Sequence, residues 1–289
     1  MDFCEQMDIS PAPITEKSLV RYAAYLASSL SYASIGKYLN IIRIIHRELS
    51  LPNPLQDNYA LNVVLKGIRK AKGDTTKRKL PITPRILLNI RDQLSMSSPK
   101  DIIFWAACLV SFYGLFRKAN IAPKSVRAFD KNKHFTTGDL EKCHQGLVLI
   151  VKHTKTIQCR ERSLQIPLPF LNNHPLCPTT AVINMLRVKS SLDPNTPLFS
   201  LGTANSLLTQ PVFVSRLREV LQRCGLDETN YSGHSFRRGG ASWAFEAGLP
   251  GEMIQQLGDW KSAAYLVYLE INLQTKFHWI QQFACKLPY

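Results

Sequence analysis

Side chains suited to phosphate chemistry are closely spaced in one segment of the chain, YSGHSFRRGGASWAF at residues 231–245. A turn at Ser232 precedes a predicted helix, and His234 and Arg237 are three residues apart, on one face of its first turn. The start of a helix offers backbone N–H groups to an anion. The glycine pair at 239–240 allows another backbone to approach closely. The segment therefore predicts a phosphate-binding site at the start of a helix.

Further residues that suit the same chemistry are spread along the chain. Arg117 directly follows an apolar segment, SFYGLF, and Lys155 lies in the polar turn HTKT. Trp260 and Tyr268 lie in LGDWKSAAYLVY, with Tyr265 one helical turn before Tyr268. In that stretch a helix is predicted to end at Gly258 and the next one to start at Ser262.

The order of these residues resembles the signature of the tyrosine recombinases, the phage-integrase family. That signature is an arginine, a hairpin lysine, His-x-x-Arg, a histidine or tryptophan, and a nucleophilic tyrosine. The matching residues are Arg117 in GLFR, Lys155 in HTKT, His234 and Arg237 in GHSFR, Trp260 in LGDW, and Tyr268. The resemblance covers about residues 80–275. The stretches GLFRKANI and DWKSAAYLVY are most similar to the branch found in DIRS-type retroelements and Cryptons.

Two positions differ from the family pattern. Many relatives carry an acidic residue three positions after the first arginine, where this chain has Asn120. In many relatives the tyrosine also follows the tryptophan or histidine by nine positions, whereas Tyr268 follows Trp260 by eight. Asparagine can still hold neighbouring groups by hydrogen bonds, so this residue is not expected to remove the predicted activity.

The resemblance implies a site-specific recombinase or integrase that breaks and rejoins DNA without metal, ATP or another cofactor. Tyr268 would be the nucleophile and form a 3′-phosphotyrosyl bond. Arg117 and Arg237 would clamp the phosphate with planar, permanently charged guanidinium groups. Lys155 would protonate the leaving 5′ oxygen, and His234 would transfer a proton or orient the phosphate. Trp260 would donate one N–H to a phosphate oxygen.

Several alternatives remain open on the sequence. Lys152 competes with Lys155, and Tyr265 competes with Tyr268. The whole protein could instead be a catalytically inactive DNA-binding protein descended from such an enzyme, or have type IB topoisomerase-like activity. A cluster near the hairpin could suggest zinc, but its spacing matches no common zinc site; its members are Cys143, His144, His153 and Cys159.

Charge points to a nucleic-acid partner. Lys and Arg number 36 against 21 Asp and Glu, a formal net charge of +15. Such a surplus favours a nucleic acid as the partner, and the resemblance implies double-stranded DNA. A basic run at Lys77, Arg78 and Lys79 can lie along a phosphate backbone, and Arg238 is predicted to contact that backbone as well. By the resemblance, a homotetramer forms on paired sites, and residues 274–287 are amphipathic enough to dock on a neighbouring subunit.

Apolar spacing predicts a mainly helical protein. Helices are expected over residues 15–71, with Thr15 and Asp57 as N-caps, and again from Thr83-Pro84. Residues 146–168, rich in β-branched side chains around a polar turn, predict a β hairpin. Further helices are predicted at 178–192 and at 211–224, the latter stopped by Gly225.

These elements predict two domains. A small helical core-binding (SAM-like) domain would occupy residues 1–73, and residues 74–82 would form a basic linker. A larger α+β catalytic domain with a small β hairpin or sheet would occupy residues 83–289. The resemblance implies the tyrosine recombinase fold, with both domains closing around DNA as a clamp.

Composition adds a cellular setting. An N-terminus without an apolar signal core, seven scattered cysteines and no apolar run of about 20 residues predict an intracellular protein that does not enter a membrane. In a eukaryotic source it would act in the nucleus. The target DNA sequence cannot be deduced from the chain, because recognition depends on groove contacts and DNA shape.

Overall fold

The structure, a computed structural model, describes residues 2–73, 78–158, 162–203, 206–271 and 273–285. The chain divides into two compact units, Met1–Arg78 and Lys79–Tyr289. This division falls within the predicted linker, residues 74–82. Lys77 and Cys159 lie outside the described residues. No helix in the described ranges is both long and apolar enough to span a bilayer.

The first unit is helical, with bounds α1 Asp2–Met7, α2 Glu16–Ser29, α3 Tyr32–Glu48 and α4 Tyr59–Lys72. The Thr15 side chain caps α2 as predicted, accepting from the Ser18 N–H. The predicted cap Asp57 is wrong by one residue. Asp57 has a left-handed backbone with φ of 54°, and Asn58 accepts from the Leu61 N–H at 2.9 Å. The core of the unit contains Leu19, Ala23, Leu26, Ile35, Leu39 and Leu61.

The second unit is built around one buried helix. Its first helices are α5 Pro84–Asp92, α6 Pro99–Tyr113 and α7 Lys118–Ile121. Thr83 caps α5 as predicted, accepting from the Ile86 N–H at 3.3 Å. Every residue of α6 from Asp101 to Phe112 is buried, which explains an apolar run in place of an amphipathic pattern.

A small antiparallel sheet lies beside that helix. Its strands are β1 Leu140–Cys143, β2 Gly146–Val151 and β3 Leu164–Pro169, in the order β1-β2-β3. The β2–β3 pair is the predicted hairpin; β1 was not predicted, because LEKC is too short and polar to signal a strand. Alternate residues of β2 are buried, so one face of the sheet covers the core.

The remaining helices are α8 Pro178–Arg187, α9 Gln210–Arg223, α10 Gly233–Glu246, α11 Gly251–Leu257 and α12 Leu273–Ala284. Helix α8 ends five residues before the predicted limit, because Val188 caps it. Helix α9 ends just before Gly225, whose φ of 72° suits glycine. Residues 263–268, predicted to be α-helical, form a 3₁₀ helix, with Ser262 as its cap as predicted.

The glycine pair of α10 packs directly on two other segments. A Cβ built on Gly239 would lie 1.8 Å from the Ile82 carbonyl oxygen, and one on Gly240 would lie 2.2 Å from the Phe112 carbonyl oxygen. Glycine is therefore required at both positions. The close approach fixes α10 against α6, and so fixes the position of the segment that carries His234 and Arg237.

Candidate active site

Arg237 lies at the centre of the site. It projects from the first turns of α10, and only 2% of it is exposed. Its Nη1 donates to the Leu115 carbonyl, and its Nη2 donates to the Gly258 carbonyl at 2.7 Å. A guanidinium carries five N–H donors, so these two bonds leave donors free for a further anion.

The two carbonyls that Arg237 holds belong to the turns that carry other predicted site residues. Leu115 has a φ of 50° and precedes Arg117 by two positions. Gly258 precedes Trp260 by two positions, and the intervening Asp259 has a φ of 52°. A single buried side chain thus fixes the ends of α6 and α11 where the first arginine and the tryptophan are presented.

Two aromatic rings lie against this guanidinium. The Trp260 ring centroid is 3.7 Å from Cζ of Arg237, and the Tyr268 ring centroid is 5.2 Å from the same atom. The two rings are 5.2 Å apart. Both Nε of Arg237 and Nε1 of Trp260 are buried without a hydrogen-bond partner among the described residues. Buried N–H donors normally have a partner, so the pair marks a place for an acceptor.

His234 and Arg117 lie at the start of α10. The Lys118 side chain packs against Gly233, which brings the Arg117 turn to this end of the helix. Desolvation lowers the pKa of His234, and the nearby charges of Arg117, Arg237 and Lys118 lower it further. The imidazole is therefore neutral at pH 7. The N–H of His234 donates to the Ser232 hydroxyl at 3.2 Å, so, contrary to the prediction, this backbone group is not free for phosphate.

The same positive environment acts on Arg237. Burial lowers the pKa of its guanidinium, with a contribution from Arg117, while Tyr268 and Asp259 raise it. Guanidinium remains charged at neutral pH even when buried. A site with two arginines near one histidine is strongly cationic, and its net charge favours an anion such as phosphate.

Lys155 is exposed in the loop that follows β2. Its flanking hydroxyls, on Thr154 and Thr156, both donate to Asp259, next to Trp260. Asn120 also reaches this loop: its Nδ2 donates to the His153 carbonyl, and its Oδ1 accepts from the Arg117 N–H, both at 3.3 Å. The amide thus joins the Arg117 turn to the loop that carries Lys155.

The competing lysine is otherwise engaged. Lys152 forms an ion pair with the buried carboxylate of Asp139. The ring of the competing tyrosine, Tyr265, has its centroid 6.2 Å from that of Trp260. Its hydroxyl lies at the start of α11, where a Cβ built on Gly251 would meet it at 2.3 Å. These contacts favour Lys155 and Tyr268 over their rivals.

Residues just after the tyrosine are fixed on α10. The Ser242 hydroxyl accepts from the Glu270 N–H at 2.8 Å and donates to the Tyr268 carbonyl at 3.3 Å. Arg238 pairs with the Glu270 carboxylate at 2.8 Å and donates to the Lys79 carbonyl. Only 11% of the Arg238 side chain is exposed, and these contacts are within the protein. Its contact with DNA backbone stays a prediction.

Of the basic run, Arg78 and Lys79 are described. The Lys79 ammonium donates to the Thr229 carbonyl. Within the described ranges, no group of three or more His, Cys, Asp or Glu side chains could hold a metal ion. Asp259, Thr154 and Arg162 were missed by sequence reasoning, because the partners are about 100 positions apart and no motif signals their contact.

Comparisons with known proteins give one sequence relative and several structural neighbours. No family profile matches the chain. The "integrase/recombinase xerD homolog" of Selenomonas ruminantium is 24% identical over 254 residues, which is 84% of this chain and 69% of that protein.

Three solved structures have the same fold at low sequence identity. The integrase of transposon Tn1549, in complex with transposon right-end DNA, has a TM-score of 0.65 at 14% identity, covering 95% of this chain and 87% of that one. A lambda integrase dimer bound to a core site has a TM-score of 0.59 at 14% identity, with 93% and 87% covered. The XerA recombinase has a TM-score of 0.51 at 15% identity, with 100% and 89% covered.

These likenesses confirm the predicted fold, a mostly helical chain with a small antiparallel sheet. The chain is thus similar in sequence to one integrase/recombinase homolog, and it shares its fold with solved integrases and recombinases.

Proposed function

We propose that this protein is a site-specific DNA recombinase that cuts and rejoins duplex DNA through a covalent bond between Tyr268 and a 3′ phosphate. One observation carries the proposal: Trp260 and Tyr268 surround a buried Arg237, and two N–H groups there have no acceptor in the described part of the chain. A phosphodiester oxygen would complete those donors. The named relatives are integrases and recombinases, which supports the same reaction.

In the proposed cleavage step, the Tyr268 oxygen attacks the phosphorus and the bond from phosphorus to the 5′ oxygen breaks. Arg117 and Arg237 stabilise the negative charge that grows on the non-bridging oxygens. The lowered pKa leaves His234 unprotonated, so its imidazole has a free lone pair that can accept the proton of the tyrosine. Lys155 gives a proton to the departing 5′ oxygen. Rejoining reverses each transfer, so the reaction needs no external energy source.

Other features of the assembly follow as part of the proposal. The first unit would also bind DNA, with the basic charge of the end of α4 facing the phosphates. The resemblance implies a tetramer on paired DNA sites. Helix α12 carries exposed apolar side chains, such as Phe277 and Ile280, that would contact a neighbouring subunit. The stretches GLFRKANI and DWKSAAYLVY support the DIRS- or Crypton-like branch. A DNA substrate places the activity inside the cell, and in the nucleus of a eukaryotic source.

Covalent trapping tests the proposal. The wild type, Tyr268→Phe and Tyr265→Phe would each be mixed with nicked duplexes of degenerate sequence, which lose the short strand after cleavage. We expect a denaturant-resistant adduct with the wild type and Tyr265→Phe, and none with Tyr268→Phe. Sequencing the trapped DNA then yields the site.

Other outcomes identify the alternatives. Loss of the adduct in Tyr265→Phe instead would move the nucleophile by one turn. Tight, salt-dependent binding without any adduct would indicate a DNA-binding protein that has lost catalysis. Relaxation of supercoiled plasmid lacking the trapped site would indicate topoisomerase-like activity.

A further inference from the structure

The loop after β2 contains a tight turn around Lys155. The Thr154 hydroxyl accepts from the N–H groups of Thr156 and Ile157, both at 3.0 Å. The Thr154 N–H in turn donates to the Ile157 carbonyl at 3.0 Å. Ile157 is fully buried and holds the turn against the protein, while Lys155 is exposed at its tip. The backbone of the turn is therefore well defined within itself.

One carboxylate connects this turn to the rest of the site. Oδ2 of Asp259 accepts from the hydroxyls of both Thr154 and Thr156, the two residues that flank Lys155. Its Oδ1 accepts from Nη2 of Arg162 at 2.5 Å, on the other side of the loop. Asp259 is 7% exposed, so these bonds form in a largely dry environment where they are strong.

The backbone on both sides of Asp259 is held by Arg237, which is proposed to bind the phosphate. The preceding carbonyl, of Gly258, accepts from Arg237, and the following side chain, Trp260, stacks on the same guanidinium. The left-handed φ of 52° turns the chain between them so that the carboxylate is directed at the loop. Asp259 is therefore the direct link between the residues that would hold the phosphate and the turn that carries the proposed acid.

Asp259 is not suited to act on the substrate itself. Both of its oxygens already accept hydrogen bonds, and three donors share the one carboxylate. It lies nine residues before Tyr268, the spacing that many relatives use for a histidine or tryptophan, yet its carboxylate points to the Lys155 turn. An ionised carboxylate is a strong acceptor of several hydrogen bonds at once, so Asp259 is suited to holding the Lys155 turn in place.

We propose that Asp259 is a positioning residue, which sets the Lys155 turn against the Arg237–Trp260 pair and thereby controls proton delivery to the 5′ oxygen. This inference rests on the proposed function, because it assumes that Lys155 is the acid. A displacement of about 1 Å at a catalytic group can cost up to ~10² in rate. Loss of the Asp259 carboxylate should therefore slow the same step as loss of Lys155, but by a smaller factor.

The test uses a chemical bypass of the acid. The duplex recovered by trapping would be made twice, once with the ordinary 5′ bridging oxygen and once with sulfur in that place. A thiolate leaves without protonation, since thiol pKa values are near ~8.5. The variants are Asp259→Asn, which keeps a residue tolerant of left-handed φ, the isosteric pair Thr154→Val and Thr156→Val, Lys155→Ala, and Asp130→Asn as a matched surface control.

We expect Lys155→Ala to form the adduct on the oxygen duplex at least ~10² slower than the wild type, and near the wild-type rate on the sulfur duplex. Asp259→Asn and each threonine variant should form the adduct about 10- to 100-fold more slowly than the wild type on the oxygen duplex. On the sulfur duplex their rates should be within about 3-fold of the wild-type rate. DNA binding should be unchanged, and Asp130→Asn should match the wild type on both. An equal loss on oxygen and sulfur would overturn the proposal, because Asp259 would then act on the phosphate pocket and not on the acid.

A second measurement needs no DNA. Amide hydrogen exchange in residues 154–157 should be about 10-fold faster in Asp259→Asn and in the threonine variants than in the wild type or Asp130→Asn. Unchanged exchange would overturn the link itself. If amide exchange is faster but adduct formation on the oxygen duplex keeps the wild-type rate, Asp259 has a structural role only, and the proposal fails.

The two proposals can fail separately. If the wild type forms no adduct on either duplex, the proposed function fails and the role in proton delivery fails with it. The exchange data still show whether the link between Asp259 and the turn exists. Circular dichroism of each variant checks that it is folded, and the threonine variants serve if Asp259→Asn is not.

Discussion

Substitution of Arg237 by lysine tests the double role that its contacts imply. Lysine keeps a positive charge but has no planar fork, so it cannot reach the Leu115 and Gly258 carbonyls together. Each hydrogen bond from a charged donor contributes about 1.5–3 kcal/mol, and a desolvated cation over a tryptophan about 2 kcal/mol. With one carbonyl still bonded, we expect a loss of roughly 3 kcal/mol in the unfolding free energy of the second unit.

Calorimetry converts this figure into a melting temperature. For a unit of this size, 1 kcal/mol corresponds to about 2–4 °C, so Arg237→Lys should melt roughly 6–12 °C below the wild type. Arg223→Lys is the control, because Arg223 forms an exposed ion pair with Glu219, and such pairs contribute about 0–1 kcal/mol. That variant should stay within about 3 °C of the wild type.

The same variant separates assembly from catalysis. At a temperature where Arg237→Lys is folded, covalent adduct formation should fall by at least ~10², because the charge-stabilising fork is gone. A melting temperature equal to that of Arg223→Lys would refute the structural role argued from the two carbonyls. Normal adduct formation by the folded variant would refute the role in binding phosphate.

Three further predictions use other contacts of the site. Gly239→Ala should lower both the melting temperature and adduct formation, since its Cβ would meet the Ile82 carbonyl at 1.8 Å. Gly36→Ala, whose Cβ would have nothing within 4 Å, should raise stability by about 0.5–1 kcal/mol. Equal melting temperatures of the two variants by calorimetry would contradict this. His234 should titrate below 6.5 in free protein by NMR and at higher pH once DNA phosphate is bound, because a nearby anion favours imidazolium; a fall on binding would contradict it. Ser242→Ala should slow adduct formation about 10-fold with little change in DNA binding, as the Tyr268 segment loses two bonds.

The titration of His234 also has a consequence for stability. Its pKa in the folded protein lies below the unfolded value of about 6.5, so the unfolded chain binds protons more readily there. The contribution of this residue to stability is complete above about pH 6.5, and it declines as the pH falls through the folded pKa. Melting of His234→Gln should therefore depend less on pH in the range below about 6.5 than melting of the wild type.

Much of the fold could be predicted from local signals. Thr15 and Thr83 cap helices where the sequence places a hydroxyl before a helical apolar pattern, and the β2–β3 hairpin follows from its β-branched residues. The failures have local causes as well. Asp57 and Asn58 are adjacent caps of equal propensity, and only the backbone angle of Asp57 decides between them.

The residue types of the site could be predicted from the sequence, but the contacts that hold them in place could not. Arg237, Trp260 and Tyr268 could be identified from their order, and the structure brings them together. The carbonyls of Leu115 and Gly258 could not, because a backbone acceptor leaves no mark in the sequence. The partner of Arg238 could not be predicted either, because Glu270 is 32 positions later in the sequence and no motif signals this contact.

The donors of Arg237 explain how a single residue can both assemble the site and serve the reaction. Its two carbonyl bonds use one N–H on each Nη, while its Nε–H, buried beside the unpartnered N–H of Trp260, has no acceptor among the described residues. Assembly of the site and the proposed binding of phosphate would therefore use different donors of one guanidinium. The turns that carry Arg117 and Trp260 are then fixed before substrate arrives, and little reorganisation is left for the transition state. The hydrogen bonds of Asp259 connect the Lys155 turn to the same frame, so the proposed acid and the proposed phosphate clamp share one support.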